Sequence, residues 1–525
     1  MSSLTPIPPT IAKPDLRIIV ASHHVRVTDF DHRVKFALLE FCRGLAQYGM
    51  ERMPNGQFKR AMLRVFVGVA HDRSFFHFHR NELDDLKRHL KMYGFNDQNI
   101  QYEYLVENYG FPASFDVIDK RTPRDDQIPK IEYVGQDGVT KIITVDPGRG
   151  KTFMALTAIA SYGKRVFICI KAMYIKKWIG DIEAAFKLKK GDLMVIQGSK
   201  QLALATNLAV ANALDAKIII CSNTTFYNYL KDYEKFKDGL LDIGYGCTPP
   251  NFYQTLGIGF RLIDEVHQDF HLNYRQDLYM HCQKALSLSG TLEGDDDFLN
   301  RRKEIMFPKR ERIDNGERVI YTTVEALAYR LKQPTRLKWI NRARKSYSHI
   351  IFEQALMDPK NKESLKAYLE MNADIIQQNY RRVMKEGQKC LMYFATVEMC
   401  TLMADYLRPR HPDLKVMRYT AEDDFDEMLE SDIIISTLKS LGTAQDIPKL
   451  LHVYMTDGLG SSQANLQAMG RLRDTILKIW PDAVPIFFYL VCSDIEKHIE
   501  YHDRKVETFR GRVVSHKLYT TDYVI

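Results

Sequence analysis

Residues 141–160 read KIITVDPGRGKTFMALTAIA. Lys141–Val145 is a short β-branched run, and Thr152–Ala160 opens an apolar helix. Between them lies Asp146-Pro147-Gly148-Arg149-Gly150-Lys151-Thr152. A strand, a glycine-rich turn and a helix in this order form a phosphate cradle. Gly148 and Gly150 let the backbone, with Arg149 between them, wrap close to phosphate oxygens. The helix N-terminus presents free N–H groups and a positive dipole end. Lys151 would neutralise the outer phosphates of a nucleoside triphosphate, and the Thr152 hydroxyl would ligate Mg²⁺. The first glycine of the usual pattern is replaced here by Val145.

The grammar of this stretch recurs on its C-terminal side. Runs at Arg165–Ile170, Lys217–Cys221, Phe260–Ile263 and Ala285–Leu288 alternate with helical stretches. That alternation predicts an α/β fold, a parallel sheet with helices on both faces. A charged segment from Gly294 to about Gln388 interrupts the pattern. It resumes at Lys389–Ala395, Lys415–Tyr419, Asp432–Ser436, Leu450–Thr456 and Val484–Val491, so two parallel-sheet domains in tandem are expected. Residues 16–110 differ. Strand-like Leu16–Ala21 and Leu63–Ala70 mix with amphipathic Val34–Tyr48 and Glu82–Tyr93, which predicts a small α+β unit. The polar stretch Asp119–Gln127 marks its end. The expected division is an accessory domain over 1–118, an ATP-binding domain over 119–295, a basic helical connector over 296–388 and a second sheet domain over 389–525.

The chain has 525 residues, 45% apolar and 27% charged, with a net charge of +8. This composition is that of a soluble globular protein of several domains. No apolar run approaches the ~18–20 residues of a membrane span; Pro485–Cys492 (PIFFYLVC) is short enough for a buried strand. The start, MSSLTPIPPTIAKPD, lacks the basic-then-apolar pattern of a secretory signal. Eight scattered cysteines with no CxxC pair argue against a disulfide framework and fit a reducing cytoplasm.

Phe260–Ile263 runs into Asp264-Glu265-Val266-His267, with Asp264 113 residues after Lys151. Two carboxylates at a strand's end suit metal-assisted hydrolysis. Asp264 would hold Mg²⁺ through water, and Glu265 would polarise the attacking water. GxGKT followed by DEVH resembles the superfamily-2 helicases and translocases of the DEAD/DEAH type, most like the phage branch-migration helicases of the UvsW type. The resemblance extends from about Arg124 to Arg473 and implies two RecA-like domains that hydrolyse ATP between them. Arg124-Asp125-Asp126-Gln127 is similar to the R-x-x-Q element, which places Arg124 and Gln127 at the adenine. Val166–Trp178, with Lys171, and Ile218–Thr225, with Thr224, resemble the strand-and-loop motifs that touch the nucleic-acid backbone. Ser289-Gly290-Thr291 resembles the motif coupling hydrolysis to those contacts, with His267 in the same relay. Leu391–Thr396 resembles the strand opening the second motor domain. Asp432–Pro448 resembles the T-x-x-x-x-x-G-x-D-x-P motif, with one extra residue between Gly442 and Asp446. Gln467-Ala468-Met469-Gly470-Arg471 resembles Q-x-x-G-R, so Gln467 and Arg471 would face ATP. The family's second arginine falls three residues after the first, where this chain has Asp474, with Arg473 one residue earlier. The resemblance implies an arginine finger here, supplied either by Arg473 through a local distortion or by Arg471, alone or with Arg473.

The charge surplus is local. Residues 301–345 hold fourteen basic and five acidic side chains, a surplus of nine, with Tyr321, Tyr329, Trp339 and nearby Tyr347 interleaved. Such a segment would track phosphates and stack exposed bases at a junction, Trp339 foremost. The expected protein is a monomeric, cytoplasmic ATP-dependent DNA helicase or translocase (in a host's cytoplasm, if phage-encoded). It would act on single-stranded, forked or branched DNA by unwinding, branch migration or annealing. Two other readings stand beside it: a DEAH-type RNA-dependent ATPase, and a nucleic-acid-binding switch in which ATP gates binding without strand movement.

Overall fold

The runs Val166–Ile170, Ile218–Ser222, Phe260–Ile263, Lys389–Phe394, Ile433–Thr437 and Leu450–Met455 are buried at every position. Strands covered on both faces have no solvent side and therefore no alternation. The computed structural model of the chain describes residues 14–53, 58–70, 72–105, 110–146, 148–236, 244–290, 292, 294, 296–314, 319–341, 346–420, 423–441 and 446–525. They divide into two compact units. One runs through residues 1–145, 150–292 and 296–315; the other comprises 316–525 with 146–149 and 293–295.

The first unit holds a seven-stranded parallel sheet. Its order is Leu193–Ile196, Ile218–Ser222, Val166–Ile170, Phe260–Ile263, Lys284–Ser289, Thr140–Thr144 and Arg312–Asp314. The chain leaves Thr140–Thr144, passes over two strand positions and re-enters at Val166–Ile170, and it later returns to fill the gap, so the sheet is doubly wound. Because every strand runs the same way, the residues after each one emerge along one edge. Val145, Lys171, Asn223, Asp264 and Gly290 are thereby gathered from 146 positions of sequence.

The same unit contains the N-terminal region. Its mixed sheet has the order Gly68–Val69, Phe76–His79, His24–Thr28, Leu16–Val20 and Ile100–Tyr104. A separate antiparallel ribbon pairs Ala46–Arg52 with Phe58–Val65. The expected boundary near residue 118 separates two sheets but not two cores, since one hydrophobic cluster runs from Leu16 and Phe76 through Phe270 to Phe307. Helix Phe270–Tyr279 joins them. Its Asp277 takes a buried ion pair from Arg261 at 2.5 Å and lies 3.3 Å from His79 Nε2. The helix expected over Val34–Tyr48 ends at Arg43, where Gly44 caps it, and the ribbon takes over at Ala46.

The second unit is also a seven-stranded parallel sheet: Val416–Tyr419, Ile433–Thr437, Lys389–Phe394, Leu450–Met455, Ile486–Cys492, Thr323–Arg330 and His516–Val524. This corrects the reading of 296–388 as a connector. Arg312–Asp314 closes one edge of the first sheet, and Thr323–Arg330 is an inner strand of the second. The strand was hidden because its alternating TVEALAYR lies in a basic context. Its Val324, Ala326, Leu327, Ala328 and Tyr329 are all buried, each larger side chain contributing about 1.5–3 kcal/mol.

Candidate active site

Thr144 ends its strand, and the Val145 N–H donates to the Ser289 carbonyl at 3.0 Å, which fixes where the loop departs. The loop returns through Gly148 and Gly150, with φ of 84° and 82°, into helix Lys151–Tyr162. Left-handed φ favours glycine, and at Gly150 the Gln127 amide packs so close that a Cβ would sit 2.4 Å from its Nε2 and displace it. Gln127 is buried, and its Oε1 accepts the Arg124 N–H at 3.1 Å. The expected adenine reader therefore packs on the phosphate loop. Thr152 lies half-buried in the helix's first turn, and Arg149 is half-buried in the loop.

The acidic box completes the site. Glu265 has φ 47°, a left-handed conformation unusual in a residue with a side chain and costing about 1–3 kcal/mol. Its neighbours hold it there. The Glu265 N–H donates to Asp264 Oδ1 at 2.9 Å, and the Val266 N–H donates to the Leu288 carbonyl at 3.1 Å. Glu265 Oε1 accepts from Lys151 Nζ at 3.1 Å, and Oε2 lies 3.4 Å from His267 Nδ1. That same Nδ1 is 2.8 Å from Ser289 Oγ. Asp264 Oδ2 accepts from the Trp178 indole N–H at 3.0 Å.

Burial and charge set the protonation of this group. Burial, reinforced by the Glu265 charge, raises Asp264 above the usual carboxylate range. Burial would raise Glu265 too, but the Lys151 charge and hydrogen bond, His267 and the Gly290 N–H together outweigh it and hold it low. Burial pushes His267 down to about 4, so its ring is neutral at neutral pH. Glu265 is bonded to Lys151, and the two oxygens of Asp264 each keep a lone pair for a further partner. Among the described residues no cluster of three His, Cys, Asp or Glu could hold a metal. The donor set fits Mg²⁺, which is held by one or two carboxylates and completed by substrate phosphates and water.

Lys171 follows Val166–Ile170 and lines a small cleft with Asn223, Asp264 and Glu265. Thr224 is exposed at the start of helix Asn223–Phe236 and lines a second cleft of about 330 Å³ with Arg64, His267 and Asp269. In the second unit, Arg471 is buried beside Tyr393. Arg473 Nε lies 3.1 Å from Asp446 Oδ1, and Gln467 is on helix Ser462–Met469. Thr291 and Gly442 lie outside the described residues, as do Pro147, Arg318, Arg342, Arg344 and Lys345.

The basic, aromatic segment is not one exposed surface. Arg302 is buried in an ion pair with Glu82, and Lys303 is buried as well. Tyr329 sits in the core of the second sheet, and Trp339 is half-buried against that core. The sequence pattern counted charges without their partners, and Glu82 is 220 residues away. Sequence reasoning also missed the Arg261–Asp277 pair and the Trp178 bond. The helical spacing of Ile175, Trp178 and Ile182 would have marked Trp178 as inward-facing.

No family model and no curated protein matches the sequence. Among solved structures, the fold is similar to the crystal structure of T4 UvsW at 12% identity and a TM-score of 0.32, over 97% of this chain and 100% of that one. It is similar to the DEAD-box helicase Mss116 bound to ssRNA and UDP-BeF at 16% identity and 0.47, over 76% and 75%. The Pyrococcus furiosus Hef helicase domain follows at 12% and 0.41, over 73% and 98%. The chain's own two seven-stranded parallel sheets, the first with the glycine-rich loop and the DEVH box at the carboxyl ends of its strands, give the fold: two RecA-like units in tandem.

Proposed function

We propose that this protein is an ATP-dependent helicase or translocase that remodels forked or branched DNA. The single observation that carries the reading is the 3.1 Å contact between Lys151 Nζ and Glu265 Oε1, with Asp264 next in the chain. It joins a phosphate-loop lysine to an acidic box at the ends of parallel strands. In this reading the loop backbone and Lys151 bind the outer phosphates of ATP, and Gln127 with Arg124 reads the adenine. Thr152 and Asp264 would hold Mg²⁺, which supplies charge neutralisation at the phosphates. Glu265, kept ionised by Lys151, orients and polarises the attacking water. His267 and Ser289 pass the state of Glu265 to the strand ends that carry Lys171 and Thr224. The sequence resemblance assigns the transition-state cation to Arg471 or Arg473. The DNA substrate rests on the sequence resemblance.

ATPase activity measured at fixed salt against forked DNA, duplex DNA and RNA tests the reading, because salt alone moves such affinities by orders of magnitude. Stimulation by branched DNA is expected, and stimulation by RNA alone would move the protein to the RNA-dependent class. Glu265→Gln should lower turnover by roughly 10²–10⁴-fold, the usual worth of general-base catalysis, while ATP still binds. Full turnover in that variant would refute the assignment. A strand-displacement assay separates a motor from a switch: hydrolysis without unwinding, annealing or migration leaves only the switch.

A further inference from the structure

Trp178 sits in helix Ile175–Ala185, which follows Val166–Ile170 through the short turn Ala172–Tyr174. Its ring is fully buried. A buried indole N–H needs an acceptor, and here the acceptor is Asp264 Oδ2, 86 residues away, at 3.0 Å. The other oxygen of the same carboxylate takes the Glu265 N–H at 2.9 Å. Two donors on two oxygens fix the carboxylate plane, and each oxygen retains a lone pair for a further partner. Trp178 also lies in the segment that begins at Lys171. One rigid helix thus joins a strand-end loop on the sheet edge to the acidic box.

We propose that Trp178 is a positioning residue for Asp264: its indole N–H locks the carboxylate in the orientation that holds the divalent ion and ties that orientation to the Lys171–Tyr174 loop. The inference rests on the ATPase reading above. It also reassigns the end of the Val166–Trp178 stretch from nucleic-acid contact to metal positioning. Partners that orient a metal's ligands typically account for about 10–100-fold in metal affinity, and the effect should appear with no turnover at all.

The test uses Mn²⁺ as a paramagnetic probe, titrated by electron paramagnetic resonance into the full-length protein holding ADP. Two variants are compared with the wild type. Trp178→Phe removes the donor and some volume. Site-specific 3-benzothienylalanine at position 178 replaces the N–H by sulfur and keeps the ring's shape, so the core stays filled. The expected result is a half-saturating Mn²⁺ concentration raised about tenfold or more in both variants. Metal-free ADP affinity should stay within about twofold and the thermal midpoint of the benzothienyl variant should be unchanged. Wild-type Mn²⁺ affinity in the benzothienyl variant overturns the inference alone. Absence of ADP-dependent Mn²⁺ uptake in the wild type overturns the ATPase reading, and the inference with it.

Discussion

The two sheets gather polar groups at the same place, the carboxyl ends of their strands, and treat them differently. In the first unit Glu265 meets Lys151 and stays ionised despite its burial. In the second, Glu353 accepts the Ala395 N–H at 2.9 Å, the Thr396 N–H at 2.8 Å and the Thr396 hydroxyl at 2.6 Å. No lysine or arginine is ion-paired with it among the described residues, and burial pushes it up to about 8. Asp457 nearby is pushed up by burial to about 7, and Lys505 is pushed down by burial to about 7. One topology therefore yields a charged site in one unit and a near-neutral polar core in the other. The difference is whether a cation is delivered to the carboxylate. Helix Lys151–Tyr162 delivers one at its first residue.

The sharpest way to break this contrast is to remove that cation. Lys151→Ala should lower ATP turnover by roughly 10³-fold or more, the scale on which phosphate-clamping cations act, and should let Glu265 take up a proton. Steady-state ATPase assays check the first effect, and retained turnover would deny the site its charge. The next largest effect falls on stability. Asp277→Asn leaves Arg261 buried without its charge partner at 1% exposure, and breaking a buried pair costs about 3–5 kcal/mol. Urea unfolding of the full chain should show the loss in the first unit's transition, leaving the second unit's in place.

The second unit offers the converse. If Glu353 is held neutral at pH 7, Glu353→Gln should cost less than Glu353→Ala. The expected gap is about 1–3 kcal/mol, the penalty for stranding the Ala395 and Thr396 donors. Equal losses would mean an ionised carboxylate and erase the contrast. The pH dependence follows. The folded value of about 8 lies above the ordinary 4.5, so the folded state binds the extra proton between those limits. The group's contribution to stability is then fully present below pH 4.5 and is lost as pH rises through 8. The wild type minus Glu353→Gln difference in urea midpoint, measured from pH 5 to 8, should show that slope. The smallest effect is a control: Lys366→Ala, which breaks an exposed i,i+4 pair with Glu370 at 3.7 Å, should move stability by no more than about 0.5 kcal/mol.

Much of the fold was legible. Ten expected strands, from Lys141–Val145 to Val484–Val491, match observed ones to within about two residues at either end. Continuous β-branched runs have one good environment, the inside of a covered parallel sheet. Strands Leu193–Ile196, Arg312–Asp314, Thr323–Arg330 and His516–Val524 were not expected, because shorter or more polar runs at sheet edges or in charged stretches lack that signature. Of the site, Gly150, Lys151, Asp264, Glu265, His267 and Ser289 were each named from motif order, and the structure brings their side chains or loops together. The role of Trp178 was not legible, since no local pattern says which carboxylate a buried indole will reach.

By itself the sequence determined most strands of the two parallel sheets and which strand-end loops hold the glycine-lysine and Asp-Glu motifs. Period and residue type along a short stretch set these things. Only the tertiary structure decided which charges meet. It paired Lys151 with Glu265, Trp178 with Asp264 and Arg302 with Glu82, and so dispersed a basic segment that looked continuous. The physical reason is range: burial patterns are written in neighbours, whereas the protonation and orientation of a buried group depend on a partner tens to hundreds of residues away.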